Sequence, residues 1–371
     1  MPALPDMRFA PPNPLRIADR SSGLNAISVR SYNERLVLSL LLQNHGISRM
    51  EIGERSGLSA QTVSVIVRSL EQAGLVSKGE AQRGRVGPPT IPLSLNPEGA
   101  FSVGISIGYH RTEVVLIDFV GAVRFYTTLP NPKEKSGNNH SRFLDTIQNA
   151  VAIIPKKMQG RIAGIGLALP EDVGAWGNSA NGVSQKLSDL QEEIENEIGL
   201  PFFIQNDITA AASGESMFGN AKPLTDYLFI YLGARLHSRL VLNHQIYNGN
   251  SSMSFDAGIE SLENELKTAG YDTEQLWERK ADWPQGEVVD RWRGKCLDQI
   301  KRSVDALAQF VDVKTIVLSS YAPEYICKAI CKELEALAPG VTAIAGNIAI
   351  APKAVGAASL PFSSRFMIEE R

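Results

Sequence analysis

The chain has 371 residues, 43% of them hydrophobic and 21% charged, with 37 Lys and Arg against 40 Asp and Glu. This composition excludes disordered and fibrous classes, and at about 100–200 residues per domain the length calls for two or three domains. No run approaches the ~18 uncharged apolar residues of a membrane-crossing helix, and the opening MPALPDMRFAPPNPLRIADR puts Asp and Arg where a secretory signal needs an apolar stretch. A cytoplasmic protein with no membrane partner is therefore expected.

Charge is unevenly spread. Residues 1–95 carry eleven basic against seven acidic side chains, a balance of +4, and the remaining 26 basic and 33 acidic residues leave −7. A basic small module on an acidic larger one suits a polyanion-binding head on a soluble body. Cys296, Cys327 and Cys331 are the only cysteines, too few and too late in the chain for a disulfide framework. Cys327 and Cys331, four apart, read as small apolar residues on one buried helix face.

Residues 1–30 hold five prolines and read as a flexible arm. Leu36, Val37, Leu40 and Leu41 then mark an amphipathic helix over about 33–44, closed by His45-Gly46. A second helix follows Ser48, an N-cap with Glu51 as capping-box partner, and stops at Gly57. Ser59 caps a third helix through Gln61, Thr62, Val63, Val65, Ile66 and Leu70 to Gly74. The stretch LVSKGEAQRGRVGPPTIPLSL supplies two apolar segments around Gly, Lys and Arg, the pattern of a β-hairpin wing.

Together these make a winged helix-turn-helix, set at residues 31–95. Its third helix is expected in the major groove of double-stranded operator DNA, with Ser59, Gln61, Thr62, Ser64 and Arg68 facing bases and phosphates. Gln61 suits an adenine edge, and Arg68 a phosphate or guanine. Ser48 and Arg49 at the second helix, and Lys78, Arg83 and Arg85 on the wing, complete the expected DNA contacts, with affinity that falls as salt rises. A three-helix dimerisation or docking module is the alternative reading of the same elements.

The run NERLVLSLLLQNHGISRMEIGERSGLSAQTVSVIVRSLEQAGLVSKG, followed by GRVGPPTIPLSLNP, resembles the DNA-binding head of the ROK family of transcriptional repressors and sugar kinases. The resemblance covers roughly residues 31–371. It implies an α/β body of the two-lobed ribonuclease-H-like, actin-like sugar-kinase type, with lobes at 96–220 and 221–371 and a sugar in the cleft between them.

The pattern along the body agrees with that expectation. FSVGISIGYHRTEVVLIDFVGAV holds two β segments around a Gly-bearing turn, followed by a helix near 140–157 and the strand at 162–170. After the helix DLQEEIENEIGL, the strand PFFIQND delivers Asn206 and Asp207 at its carboxyl end, where α/β sheets place their ligands. The second lobe opens with the strands of YLFIYLGARLHSRLVLNHQIYNG. Helices near 259–280 and 287–310, the strand TIVLSS and the helix YICKAICKELEAL complete it. No internal sequence repeat stands out.

By the same resemblance, QNDITAAASGE puts Asp207 at the kinases' catalytic base and Asn206 beside it as a sugar ligand; read alone, Asp207 suits a helix N-cap. The phosphate apparatus departs from the family pattern. Ser106 stands for an Asp, Tyr109 for a glycine, GARLHSR at 233–239 for a glycine-rich hairpin, and Ser319-Ser320 for a glycine pair. An ATP site needs backbone close to phosphate, and these side chains occupy that space. The family's zinc site is also missing, since Ile259 replaces its histidine and the cysteine-rich loop is absent, so neither metal nor cofactor is expected.

The expected protein is thus a non-enzymatic, repressing regulator of carbohydrate metabolism, a homodimer or tetramer, its body sensing a sugar or sugar phosphate. Effector contacts are assigned to Asn206, Asp207, Asp256, Asn178 and Asn181; Trp176 is the nearest candidate for an aromatic platform, and reads more simply as a half-buried loop residue. Two rivals remain: an active ROK sugar kinase with a rebuilt ATP site, and a regulator controlled by a protein partner.

Overall fold

A computed structural model describes residues 26–82, 90–108, 110–130, 139–170, 191–192, 194–247, 254–278 and 282–368. Arg83, Arg85, Tyr109, Trp176, Asn178 and Asn181, all singled out above, lie outside the described residues.

The head begins with α1, Ala26–Gln43, seven residues earlier than the apolar spacing suggests. All five prolines of the expected arm fall at or before Pro14, and nothing from Ala26 onward breaks a helix. Beyond the expected Leu36, Val37, Leu40 and Leu41, residues Leu38, Ser39 and Leu42 are buried too, because α1 is covered on two sides. α2, Arg49–Ser56, starts at the capping box read from sequence: Glu51 N donates to Ser48 Oγ (3.2 Å) and Ser48 N donates to Glu51 Oε2 (2.7 Å). Gly57, at φ 71°, closes it in the left-handed region that favours glycine.

α3, Ala60–Gln72, buries Val63, Ile66, Val67 and Leu70. β1, Val76–Lys78, and β2, Leu93–Leu95, pair antiparallel as the wing, which a Gln82–Thr90 bridge extends.

The Ser48 bond to the backbone of Glu51 satisfies an otherwise orphaned helix N–H. Ser48→Ala is therefore expected to lower unfolding stability by about 1 kcal/mol in urea denaturation. The backbone N–H and then the hydroxyl of Ser48 hold the Glu51 carboxyl below its ordinary value. A carboxyl so depressed adds stability above its unfolded pKa and loses it as pH falls through the folded one, so this contribution fades on acidification.

The first lobe carries β3 (Phe101–Ile107), β4 (Arg111–Asp118), β5 (Val123–Pro130), α4 (Asn139–Ala152), β6 (Ile162–Leu169), β7 (Phe202–Asn206) and α5 (Asp207–Phe218). Its sheet runs β5-β4-β3-β6-β7. The pairs within β3–β5 are antiparallel, and β6 joins β3 and β7 in parallel.

The second lobe carries β8 (Tyr227–Leu232), β9 (Leu236–Leu242), β10 (Gln245–Tyr247), β11 (Ser254–Phe255), α6 (Ile259–Thr268), α7 (Glu287–Leu307), β12 (Thr315–Ser320), α8 (Glu324–Leu337) and β13 (Thr342–Ala345). Its order, β10-β9-β8-β12-β13 with β11 beside β9, repeats the first lobe's pattern strand for strand. The two lobes are therefore a structural repeat that the sequence does not display.

Differences from the expected elements have local causes. The helix expected over 140–157 stops at Ala152, and Pro155 opens a separate 3-10 turn at Lys156–Arg161. The one expected over 259–280 ends at Thr268, where Gly270 takes φ +83°, and resumes only as a 3-10 turn at Glu274–Trp277. The final helix α9, Pro352–Phe366, was not expected at all. It packs against α5, β3 and β6, and its far end reaches the head.

Head and body share one apolar core. Leu36, Val37, Val67 and Leu93 belong to the same cluster as Phe119, Ala358, Phe362 and Met367. Ser39 Oγ donates to Met367 Sδ (3.6 Å), Arg35 Nη1 to the Met367 carbonyl (3.4 Å), and Asn96 Nδ2 to the Gly74 carbonyl (2.7 Å).

Candidate functional site

On the head, burial of Val63, Ile66, Val67 and Leu70 turns the opposite face of α3 outward. Gln61, Val65, Arg68 and Gln72 form an exposed stripe along that face, at spacings of four, three and four. Gln61 and Arg68 were expected there, whereas Val65 and Gln72 were not; Val65, 57% exposed, is an apolar side chain that only its place in the stripe reveals.

The hydroxyls expected to face DNA are engaged locally. Ser59 Oγ accepts from Thr62 N (3.2 Å) and pairs with Thr62 Oγ1 (2.9 Å), while Ser64 Oγ donates to the Ala60 carbonyl (2.8 Å). Ser48 is buried in its capping box, where its hydroxyl holds the start of α2. Arg49 and Lys78 both pair with Glu71, at 3.5 and 2.8 Å, and so fasten α2 and the wing to α3.

In the body, the turns after β3 and β8 face each other across a cleft that is open to solvent. Ser106, His110, Arg111 and Glu113 line it from the first lobe, and Tyr231, Trp277 and Tyr321 from the second, with Lys353 at the start of α9. Arg111 bridges the lobes: Nη1 donates to the Trp277 carbonyl (2.5 Å) and Nη2 to Glu113 Oε1 (3.3 Å). Tyr126 donates to the same Glu113 oxygen (3.0 Å). The His110 and Trp277 rings lie 4.1 Å apart, and Trp277 and Tyr321 6.2 Å apart.

Burial lowers the His110 pKa from its ordinary 6.5, more than the Glu263 charge restores it. Burial also raises the Tyr321 hydroxyl well above 10, with Arg111 only partly opposing.

The expected effector residues are arranged otherwise. Asn206 caps α5, its Oδ1 accepting from Ile208 N (2.9 Å) and Thr209 N (3.1 Å), and Arg239 Nη2 donates to the same atom (2.9 Å). Arg239 also donates to Thr209 Oγ1 (3.1 Å), so a side chain of the second hairpin plugs this end of β7. Asp207, 3% exposed, is ion-paired through Oδ2 with Lys353 Nζ, and its Oδ1 is buried with no partner among the described residues. Lys353 lies 4.7 Å over the Tyr231 ring.

Asp256 is 82% exposed at its side chain and pairs with Arg235 Nη1 (2.7 Å). The structure thus brings Asn206 and Asp207 together but leaves Asp256 outside, against the expectation of one ligand set. Lys353, Trp277, Tyr321 and Glu113 were not foreseen. Only the lysine gave a signal in sequence, as the single charge before the uncharged stretch AVGAASLPFSS.

Among the described residues no group of three His, Cys, Asp or Glu side chains is placed to hold a metal. All three cysteines are buried, and burial pushes the thiols of Cys296 and Cys327 up to about 12. None of the described helices is long and apolar enough to cross a membrane.

The fold thus defines a two-lobed, ribonuclease-H-like body bearing a winged helix-turn-helix head. The ROK family profile matches residues 102–357 and the MarR family profile residues 30–85. The chain belongs to the ROK family. It is 26% identical to the uncharacterized protein y4fQ of Sinorhizobium fredii, over 91% of this chain and 92% of that one. It is also 26% identical to the xylose repressor of Bacillus subtilis and 23% to the dual regulator NagC of Escherichia coli. Those matches take in 63% and 64% of this chain and only 62% and 59% of the relatives. A crystal structure of a ROK family transcriptional regulator, a homolog of the E. coli MLC protein, superimposes with a TM-score of 0.60 at 17% identity, covering 91% of this chain and 98% of that one. At that identity the likeness concerns the fold.

Proposed function

We propose that the protein is a DNA-binding transcriptional regulator, a repressor of carbohydrate-utilisation genes, with a kinase-like body that senses a sugar and no longer transfers phosphate. The observation that carries this reading is the exposed stripe Gln61, Val65, Arg68 and Gln72 on a third helix whose other face is locked into the core. A glutamine and an arginine matched to adenine and guanine edges, around an apolar residue matched to a thymine methyl, are base-reading chemistry. The head's profile match and the repressors among the relatives support it.

Loss of kinase activity is supported by the second hairpin, where Arg239, 8% exposed, occupies the end of β7, and by the ammonium of Lys353 on Asp207. A carboxylate held in that pair is a poor general base. Signal transfer is supported by α9, which starts at Lys353 in the cleft and ends beside Met367 under α1. An effector that binds one position of α9 better than another moves the surface on which the head rests.

The test is binding of the full-length protein to duplexes from its own promoter. Arg68→Ala is expected to weaken binding about tenfold or more and to reduce the log–log salt slope by about 0.9 if the arginine neutralises a phosphate. Unchanged affinity in this variant would remove α3 from the interface.

A further inference from the structure

Glu71 sits where helix energetics disfavour an acid. It lies in the last turn of α3, at the negative end of the helix dipole, and that turn carries no basic residue. Its carboxylate is divided between two other elements. Oε1 takes Arg49 Nη2 from α2 at 3.5 Å, and Oε2 takes Lys78 Nζ from the wing at 2.8 Å. The Glu71 side chain is 17% exposed, whereas Arg49 and Lys78 keep 41% and 47%. Ion pairs this open to water add little to stability, so fastening alone is a weak reason for the arrangement.

The three side chains border the surface assigned to DNA. Glu71 follows Arg68 by three positions, which makes the two neighbours on the helix, and it precedes Gln72 of the exposed stripe. Two half-exposed cations beside that stripe would reach phosphates of any duplex. Such contacts raise affinity and carry no sequence information. Matched with one carboxylate, neither cation is without a counter-charge.

We propose that Glu71 caps the sequence-independent affinity of the head: it holds Arg49 and Lys78 off the DNA phosphates, so that binding rests on the exposed stripe of α3. Glu71 is thus a positioning residue, acting through the two cations. The proposal rests on the reading of the head as a DNA reader, and adds what limits its binding to arbitrary sequence. The limit serves control by the body. An effector changes affinity by a bounded factor, about 5–150-fold in ordinary allosteric proteins, and a head with surplus phosphate contacts would stay on DNA regardless.

Fluorescence anisotropy of the full-length protein on its own promoter duplex and on a random duplex, from 50 to 200 mM salt, tests it. Glu71→Gln keeps the shape of the side chain and removes its charge. The variant should bind the random duplex about three- to tenfold tighter at 100 mM salt, with a log–log slope steeper by about 0.9 for each cation released to a phosphate. A clamp with only a structural role predicts the opposite sign, because a loosened head binds both duplexes more weakly. Lys78→Gln leaves α3 untouched and decides the matter even where Glu71→Gln fails to fold. Its slope should stay within about 0.3 of the wild type, since a lysine held on Glu71 neutralises no phosphate.

A wild-type protein without preference for its promoter would remove the DNA-reading account and this proposal with it. With that preference present, unchanged or weaker random-duplex binding by folded Glu71→Gln, or a Lys78→Gln slope shallower by about 0.9, would overturn the role of Glu71 alone.

Discussion

Lys353→Met is expected to lower the unfolding free energy by roughly 3–5 kcal/mol, the usual cost of stripping one partner from a buried ion pair. The side chains of Lys353 and Asp207 are 17% and 5% exposed, so water screens neither charge well. Without the ammonium, Asp207 keeps one oxygen already lacking a partner among the described residues and loses the ion pair of the other. The Asp207 side chain would then be buried with no counter-charge among its described contacts.

The double variant Lys353→Met with Asp207→Asn removes both charges and should recover most of the loss, because a neutral amide costs far less to bury. Urea denaturation of the three proteins gives the comparison. A loss under about 1 kcal/mol in the single variant would show that the pair is solvated.

Gly166→Ala is the second large effect, expected to cost about 3 kcal/mol or more and to impair soluble expression. A Cβ on Gly166 would run into the main-chain carbonyl of Ala357, so relief requires moving α9 away from β6. Gly356, the residue before Ala357 in α9, is equally tight against the Ala210 carbonyl of α5, which blocks retreat in that direction. Because α9 also shares the core beneath α1, its displacement is expected to weaken DNA binding along with stability. Gly160→Ala is the control: nothing lies within 4 Å of its Cβ, and its melting temperature should stay close to that of the wild type. Equal stability of the two variants would mean that the α9–sheet contact is looser than the structure shows.

The head was readable because its signals are local. The Ser48–Glu51 box, Gly57 and the Val63, Ile66, Val67, Leu70 spacing each act within a turn or two of chain. The strand pairs of both lobes were legible for the same reason, as apolar segments around short turns. α9 was not, because it is buried on nearly all sides by α5 and the sheet, so its small and apolar residues show no helical period, and Pro361 lies inside it.

The cleft was the least legible part. Glu113, Trp277, Tyr321 and Lys353 come from four separated segments, and only tertiary structure brings them together. Asn206 and Asp207 were legible at the strand end where α/β ligands sit, but Arg239 and Lys353, which cover them, lie 33 and 146 residues away and carry no local signal of that contact.

The central claim is that α3 reads DNA under control of the body. Its most direct test is a fluorescence-anisotropy titration of the full-length protein on its own promoter duplex and on a random duplex, from 50 to 200 mM salt. The account predicts clear preference for the promoter, affinity falling with log–log slope of about −0.9 per phosphate neutralised, and release on adding the effector of the body. Equal affinity for the two duplexes at every salt concentration would contradict it.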